Sequence, residues 1–487
     1  MVILYHPKST KPRSRRYPLA VLSLAAVLEG REQYSIVDGN VDPNPVATIS
    51  DLIRTRRVEL LAVSVMPGPQ MVAAMETSRD IRAHFPEVPI AWGGYFPSIY
   101  TQATLNAPYV DFAVRGQGED ALIELLEALR GDRSMDSIRG LSYRKEPGQY
   151  HNAPERPLKA PDAFPQLPYE RLDPENYILP TFLGKRTAVH QASVGCPFRC
   201  NFCGVVSALG SREKMESPAH TESVLRHLAS TYGVDAIQFY DNNFFLREDH
   251  ARELAERLVP LGLRWWCEAR IDILLDYSNA TLEAIRRAGC TMIFFGAESG
   301  SDWVLKEMNK QLCAAQTLEL ARRIRQFRII PEFSFVVGNP REPERDTAEC
   351  LTFIRKIKRL NPDSEIILQH YTPVPQRDRM YGGVDEKLAL PVTVEGWASE
   401  RWLNFTIRKD PATPWLKPAT KRLIDNFELV VASRWPTAQD IRLPAWGRRM
   451  LRALSAWRYA LKIYDFPVDL MWAQRLIDLR RPKVESL

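Results

Sequence analysis

The sequence predicts an α/β protein built from two successive parallel-sheet domains and a helical tail. Three observations carry this. Short apolar runs alternate with amphipathic, helix-like stretches from the first residue to about 130. The alternation breaks over 136–185, where Pro154, Pro157, Pro161, Pro165, Pro168 and Pro174 follow one another without helical periodicity. It resumes at Thr187 and runs to Gln369, after which no strand pattern is left.

In the first domain, 1–135, strands are expected at Val2–Tyr5, Ser35–Val37, Leu60–Val65, Pro89–Trp92 and Asp111–Val114. Helices are expected near Leu19–Glu29, Val46–Arg54, Gln70–Phe85 and Asp120–Leu129. Five apolar strands with helical crossovers make a doubly wound, Rossmann-like sheet, which binds ligands beyond the carboxyl ends of its strands. Three loops at that edge carry glycines: Ser64-Val65-Met66-Pro67-Gly68, Trp92-Gly93-Gly94-Tyr95 and Arg115-Gly116-Gln117-Gly118-Glu119. Glycine lets the backbone approach a bulky ligand. Ser64, Gly68, Gly93, Gly94, Gly116, Gly118 and Glu119 are therefore candidate binding positions, with ordinary tight turns as the alternative. The stretch 136–185, with Gly140–Tyr143 near its start, reads as an extended linker.

In the second domain, 186–395, strands are expected at Thr187–Ala192, Ala236–Tyr240, Arg264–Ala269, Thr291–Phe295, Glu332–Val337 and Glu365–Gln369, with helices such as Ala251–Leu258, Leu282–Arg287 and Ala348–Lys358 between them. Six β/α units suit a partial (β/α)6 barrel of the TIM type, with its site at the carboxyl ends of the strands. After the first of these strands comes Gly195-Cys196-Pro197-Phe198-Arg199-Cys200-Asn201-Phe202-Cys203. Three thiolates at C-x3-C-x2-C spacing can wrap one compact iron–sulfur cluster and leave one iron of a 4Fe-4S cluster without a protein ligand. An open metal position is where chemistry happens. A structural zinc would want a fourth Cys or His at finger-like spacing, and none follows; His190 lies upstream within a strand.

The later strands end in polar segments: Tyr240-Asp241-Asn242-Asn243-Phe244, Glu268-Ala269-Arg270-Ile271-Asp272, Gly296-Ala297-Glu298-Ser299-Gly300, Val337-Gly338-Asn339-Pro340 and Tyr371-Thr372-Pro373-Val374-Pro375. The tail, 396–487, looks helical. Trp446, Met450, Leu454, Trp457 and Leu461 recur at helical spacing, with Arg448, Arg449, Arg452, Arg458 and Lys462 on the other face. Such a helix either packs on the barrel or meets a membrane surface or hydrophobic substrate.

Composition bounds the setting. The cysteine count is 7, and outside the triad Cys267, Cys290, Cys313 and Cys350 are scattered and read as buried thiols. That is no disulfide framework, so a reducing, cytoplasmic compartment is expected. The chain opens on an apolar strand, so no signal peptide is expected, and Leu19–Leu28 is too short to span a bilayer. A net charge of +6 permits, without requiring, acidic partners or a peripheral contact with the inner face of the membrane.

The cysteine loop, with Phe202 just before its last cysteine, resembles the signature of the radical S-adenosylmethionine (SAM) superfamily. The N-terminal loops, with Asp38-Gly39-Asn40 after the second strand, resemble the cobalamin-binding domain that precedes many radical SAM domains. The chain thus resembles the cobalamin-dependent radical SAM superfamily, in its class B methyltransferase-like form, over roughly residues 1–400. The resemblance implies three cofactors: a 4Fe-4S cluster on Cys196, Cys200 and Cys203, SAM, and cobalamin. It implies that the open iron chelates SAM and cleaves it to a 5′-deoxyadenosyl radical. It places Arg270 on the SAM carboxylate, where a guanidinium makes a paired fork. It places Glu298 on the ammonium or a ribose hydroxyl, Tyr240, Asp241 and Ser299 in the same shell, and Gly338 under the adenine. A rim ion pair between Arg270 and Glu298 is the alternative. One departure matters. Mutase-type cobalamin domains carry Asp-x-His-x-x-Gly, whose His ligates cobalt, and Asp38–Asp42 contains no His. Cobalamin is therefore expected without a histidine below it, and His6 is read as a loop residue.

The activity implied is methylation of an unactivated carbon. The radical abstracts hydrogen, the carbon radical takes a methyl group from methylcobalamin, and a second SAM restores the methyl. The alternative is a non-methylating cyclase or ring-remodelling enzyme. The expected partners are a small-molecule, lipid-like or tetrapyrrole-like substrate and a reductant such as flavodoxin or ferredoxin. RNA modification is disfavoured, since methylthiotransferases carry an earlier cysteine triad and no Cys precedes Cys196. A cofactor carrier without activity is disfavoured by the full set of strand-end segments. The tail is expected to cover the substrate side of the barrel.

Overall fold

A computed structural model describes residues 1–146, 148–374, 383–384, 388–406, 413–440 and 443–477. Pro375, the last residue of the sixth strand-end segment, lies outside them.

The N-terminal sheet contains the five expected parallel strands: β1 (Val2–His6), β2 (Tyr34–Asp38), β3 (Leu60–Ser64), β4 (Ile90–Gly93) and β5 (Phe112–Val114). Their order, β2-β1-β3-β4-β5, reverses direction between β1 and β3. The helices are α1 (Leu19–Leu28), α2 (Pro45–Thr55), α3 (Pro69–His84), α4 (Tyr95–Ile99), α5 (Thr101–Asn106) and α6 (Glu119–Arg130). Parallel strands are buried on both faces, so they read as unbroken apolar runs. In β1, Val2 and Leu4 face a core shared with α1 and α6, whereas Ile3 and Tyr5 face one shared with α2 and α3.

Residues 136–185 are not wholly extended linker. Strands β6 (Leu141–Glu146) and β7 (Gln149–Asn152) form a hairpin that extends the sheet antiparallel beyond β5. This hairpin covers the unpaired β5 edge, and local proline content gave no sign of it. The remaining segment, with its short 3-10 turns, crosses to the barrel. There Tyr177 stacks on Tyr17 with ring centroids 5.0 Å apart, and its hydroxyl donates to Asp38 at 2.7 Å.

The barrel domain has six parallel strands in sequence order: β8 (Thr187–His190), then β11 (Ala236–Phe239), β12 (Arg264–Ala269), β13 (Cys290–Glu298), β14 (Ile330–Val337) and β15 (Glu365–His370). A separate hairpin of β9 (Ser193–Cys196) and β10 (Arg212–Met215) follows β8. The barrel helices are α7 (Gly204–Leu209), α8 (Pro218–Tyr232), α9 (Glu248–Leu258), α10 (Ile271–Asp276), α11 (Asn279–Arg287), α12 (Asp302–Glu307), α13 (Ala314–Ile324) and α14 (Pro343–Leu360). Outward strand residues such as Ile237, Cys267 and Phe295 are fully buried under these helices. Inward residues, among them Gln238, Tyr240, Trp266, Glu268 and Phe294, are only partly covered, so the lumen is open to a ligand. Cys267, Cys290 and Cys350 are buried as expected. Cys313 is not; it caps α13, and a cap position lies at the surface.

The tail is helical, with α15 (Val394–Ala398), α16 (Glu400–Thr406), α17 (Pro418–Arg434), α18 (Ala445–Leu461) and α19 (Val468–Leu476). Its placement differs from a single cap over the substrate side. Trp397 and Trp402 are buried in the N-terminal core, where Trp397 meets Tyr100 at 4.3 Å between centroids. Helix α17 packs along β15 and α14. Gln439 reaches Glu332 and Glu365 at the amino ends of β14 and β15, the end opposite the site. Of the described tail residues, Asp425 of α17 meets His370, the last residue of β15, at 3.5 Å, and the Thr413–Leu416 segment reaches the carboxyl end of β14. There Trp415 Nε1 donates to the Gly338 carbonyl at 3.2 Å and the ring packs in a cluster with Phe202 and Tyr371. No helix among the described residues is long and apolar enough to cross a membrane.

Candidate functional site

The β9–β10 hairpin sets Cys196 opposite Arg212, and α7 starts directly after Cys203. The loop between is held from the far side of the barrel. Asn201 Nδ2 donates to the Glu307 carbonyl and Asn309 Nδ2 to the Arg199 carbonyl, both at 2.7 Å. No cysteine is in a disulfide. Burial raises the Cys196 thiol and pushes Cys203 up to about 11, with Cys200 adding like charge to both. These thiols ionise only beside a strong cation, which iron supplies. Among the described residues, no three Cys, His, Asp or Glu side chains converge as one metal ion would need. The donor chemistry of the loop thus fits a 4Fe-4S cluster.

The structure places Arg270 at the cysteine loop but changes its partners. Its guanidinium lies 3.7 Å from the Phe198 ring centroid, and Nη1 is 3.7 Å from Cys200 Sγ. The fork is taken: Nε and Nη2 donate to Asp272 at 3.0 and 2.8 Å, and Nη2 also to the Lys310 carbonyl. Arg270 therefore steadies the cysteine loop, and its paired fork is not open to a SAM carboxylate. It does not pair with Glu298 either. Glu298 Oε1 accepts from Lys310 Nζ at 2.7 Å, with both side chains under 10% exposed. A bulge in the β13–β14 register and a left-handed φ of 60° at Glu298 make this possible. A Cβ on Gly296 would lie 2.2 Å from Glu298 Oε1 and 2.8 Å from Lys310 Nζ, so a side chain there would displace this pair.

Asp241 and Ser299 were expected in the ligand shell. They are 1% and 0% exposed and act as framework instead. Asp241 accepts from Ser193 Oγ at 2.6 Å and tethers the cysteine hairpin to β11; burial pushes its carboxyl up to about 7. Ser299 donates to Asp346, which in turn accepts the backbone N–H groups of Gly338 and Asn339 at 2.9 Å. Gly338 makes its close approach to Leu416, 3.1 Å from a built Cβ. Tyr240 does face the lumen, 44% exposed.

Arg16, Tyr95, Glu268 and Lys310 were missed. They come from four distant segments, and only Tyr95 and Glu268 stand within a quoted loop or strand-end segment. Arg16 Nε donates to Gln238 Oε1 at 3.2 Å, so the β1–α1 loop reaches into the barrel. Burial pushes Glu268 up to about 8, with Glu332, Asp241 and Glu298 adding like charge. That carboxyl stands in the lumen as a proton-bearing group near neutral pH.

The glycine loops of the N-terminal sheet face the same space. Ser64 and Gly93 end β3 and β4, and Gly68, Gly94, Gly116, Gly118 and Glu119 follow the carboxyl ends of β3, β4 and β5. Their roles differ. Gly94 is fixed by packing, because with φ of 100° a Cβ there would lie 2.9 Å from the Val65 carbonyl oxygen. Gly116 lies against Leu209 of α7. Glu119 Oε2 is buried without a hydrogen-bond partner, and burial raises its carboxyl. An orphaned acceptor at this edge suits a ligand rich in amide donors, as cobalamin is. Asp38 and Asn40 close the neighbouring loop, Asn40 Oδ1 accepting from the Ser9 and Thr10 N–H groups. His6 ends β1 beside Gln70, which lies 3.3 Å from its ring nitrogens. Burial lowers its pKa against the pull of Asp38. The Tyr95 ring, on α4, lies 3.6 Å from a Cβ built on Gly204, the residue after Cys203, and α4 packs on α7.

The fold and site thus define a radical SAM barrel behind a B12-type domain. Known families agree. The B12-binding domain model matches residues 10–126 and the Radical SAM superfamily model residues 191–354. An uncharacterized methyltransferase of Pyrococcus horikoshii is 27% identical over 344 residues, covering 70% of this chain and 73% of its own. The anaerobic magnesium-protoporphyrin IX monomethyl ester cyclase of Synechocystis is 23% identical over 80% of this chain and 78% of its own. The cytidylyl-2-hydroxyethylphosphonate methyltransferase of Streptomyces wedmorensis is 26% identical over 70% and 73%. The solved radical SAM methyltransferase TsrM from Kitasatospora setae, with cobalamin and a 4Fe-4S cluster bound, shares the fold at 16% identity. It aligns with a TM-score of 0.66 over 98% of this chain and 99% of that one. The chain belongs to the cobalamin-dependent radical SAM superfamily, and its cofactors are a 4Fe-4S cluster, SAM and cobalamin.

Proposed function

We propose that this chain is a C-methyltransferase that places a methyl group on an unactivated carbon of a small-molecule or lipid-like substrate. The observation that carries the reading is the packing of α4 on α7, with Tyr95 against Gly204 directly after Cys203, which turns the glycine-loop edge toward the cysteine loop across one lumen. A substrate held there lies between the two cofactor sites. When bound, the cluster with SAM supplies a hydrogen-abstracting radical, and cobalamin supplies the methyl group.

The chain's own residues orient and shield. Cys196, Cys200 and Cys203 hold the cluster. Arg270 and Phe198 fix the loop that presents it. Tyr240, Arg16 and Glu268 offer the substrate a hydroxyl, a cation and a proton-bearing carboxyl from the lumen wall. Trp415, with Phe202 and Tyr371, closes an apolar side that keeps water from a reactive intermediate. The enzyme works on a small molecule, with a one-electron donor such as flavodoxin or ferredoxin, in the reducing cytoplasm. Its place there is peripheral to the membrane.

The test is anaerobic reduction of the reconstituted holoprotein with SAM. Formation of S-adenosylhomocysteine together with 5′-deoxyadenosine supports methylation. Formation of 5′-deoxyadenosine alone, with cobalamin bound and reduced, favours the second reading, a non-methylating cyclase, which the cyclase relative over 80% of this chain supports.

A further inference from the structure

Of the twelve large apolar side chains that stand exposed on the described surface, nine lie between Trp446 and Leu476. That concentration is no scatter of single surface residues, which would need no explanation. The expected apolar stripe of α18 is split: Met450 and Leu454 pack against buried clusters, whereas Trp446, Trp457 and Leu461 do not. The helix instead buries Gly447, Leu451, Ser455 and Arg458, a quarter-turn or more away. Trp446, Trp457 and Leu461 point to solvent at 56%, 45% and 65% exposure.

The reason lies in the α18–α19 pair. The two helices form an antiparallel hairpin, tied by the Arg458–Asp469 ion pair at 2.8 Å and by Leu451 against Ala473. A Cβ on Gly447 would lie 3.4 Å from Ile477. This seam takes Gly447, Leu451, Ser455 and Arg458 of α18 and leaves Trp446, Trp457 and Leu461 outside. Helix α19 adds Met471, Trp472 and Leu476 to the same exposed surface. At the tip between the helices, Phe466 holds a left-handed φ of 45° and is 84% exposed. A bulky residue in that conformation, turned into water, is costly unless something receives it.

The polar residues among these side chains select what that is. From 443 to 477 the chain has six Arg and Lys against two Asp. Asp469 is taken by Arg458. Arg449, Arg452, Lys462 and Arg475 are exposed, and none pairs with a carboxylate among the described residues. Arg475 stacks on Trp472 instead. Tryptophan, leucine and phenylalanine beside unpaired cations are the composition of a helix lying in the headgroup layer of an anionic bilayer. A protein partner would have to be apolar and acidic at once across this face, whereas anionic lipid is both.

We infer that the α18–α19 hairpin is a membrane-docking element, seating Phe466, Trp472 and the exposed Trp446, Trp457 and Leu461 of α18 in the surface of an anionic lipid bilayer. The inference deepens the peripheral placement proposed above and does not depend on the methyl-transfer chemistry.

Co-sedimentation of the full chain with vesicles of phosphatidylcholine and phosphatidylglycerol tests it, with pure phosphatidylcholine vesicles as control. The expected result is binding to the anionic vesicles that weakens with salt. Phe466→Ser with Trp472→Ser should weaken it by about tenfold or more, as should Arg449→Glu with Arg452→Glu. Neither pair touches the buried seam, so circular dichroism should stay unchanged. No binding at low salt, or binding indifferent to both pairs, overturns the inference. So does a wild-type dimer that Phe466→Ser converts to monomer without any lipid binding, since a second copy would then be the occupant. So does binding gained only in a chain ending at Ile477, since the chain's own end would then cover the face. SAM cleavage by the same preparations is read separately: its loss with vesicle binding intact counts against the chemistry and leaves the docking element standing.

Discussion

Lys310 Nζ lies 2.7 Å from Glu298 Oε1, and this ion pair closes the end of β13 beside the cysteine loop. Burial alone would lower the lysine pKa, yet Glu298 and Cys200 together outweigh it and the net direction is up. A buried pair contributes little net stability, but removing one partner strands the other charge at about 3–5 kcal/mol. Lys310→Met should therefore destabilise the cluster-free protein by that order in urea unfolding, and Glu298→Gln added to it should recover much of the loss. An unchanged unfolding midpoint for Lys310→Met would show that Glu298 is not held by Lys310.

Cys196, Cys200 and Cys203 should be the cluster's protein ligands. Replacing any one by Ala should abolish SAM cleavage, since two thiolates do not hold the cluster with an open iron. Iron counting after anaerobic reconstitution checks this. A triple-alanine protein that keeps four irons and cleaves SAM would refute the assignment.

Arg270 should act on the cysteine loop before it acts on SAM. Its fork binds Asp272, and Nη1 points at Cys200. Arg270→Ala should lose bound iron after reconstitution and about 1.5–3 kcal/mol of stability, the worth of hydrogen bonds to charged groups. SAM affinity per cluster retained should change less than tenfold. Full iron content with SAM affinity cut more than tenfold would restore Arg270 as the carboxylate clamp.

The His190–Glu216 contact at 3.0 Å sets a pH dependence. Burial opposes the charged imidazole, but Glu216 prevails and the folded pKa is raised above 6.5. A raised folded value means the stabilisation is complete below about pH 6.5 and is lost as pH rises through that value. Asp241, raised to about 7 by burial, drives the same trend from lower pH. Urea unfolding of the cluster-free protein should show wild type losing ground to His190→Gln between about pH 6 and pH 9. A difference that grows with pH instead would contradict the charged pair.

Trp397 should matter to the N-terminal domain rather than to the barrel. It is fully buried against Phe96, Tyr100 and Trp402. Trp397→Ala should cost about 3–5 kcal/mol, the usual loss for a buried tryptophan. Cobalamin retention through gel filtration should fall while iron content holds. Loss of iron with cobalamin intact would place this helix on the barrel side.

Much was legible in the chain itself because it is local. Three cysteines within eight residues declare their chemistry by spacing, and each parallel strand declares itself by an unbroken apolar run. The order of β/α units then fixes which strand ends share an edge. Local pattern was silent on the β6–β7 hairpin, because a short edge pairing in a proline-rich stretch depends on the β5 edge it covers. It was misleading for Asp241 and Ser299, whose residue types suit a ligand shell but whose burial makes them framework.

The sequence by itself determined the cofactor loop, the two sheets and their order, because these rest on spacing and periodicity along the chain. Only the tertiary structure decided which charge meets which. Arg270 turned to Asp272, Lys310 arrived at Glu298 through a bulge, and Trp397 left the barrel for the N-terminal core. It also decided which side of α18 faces water, since the α19 seam takes Gly447, Leu451, Ser455 and Arg458 and periodicity cannot tell one face of a helix from the other. Partner choice is a competition among all groups within a few ångströms, and folding alone brings those groups together.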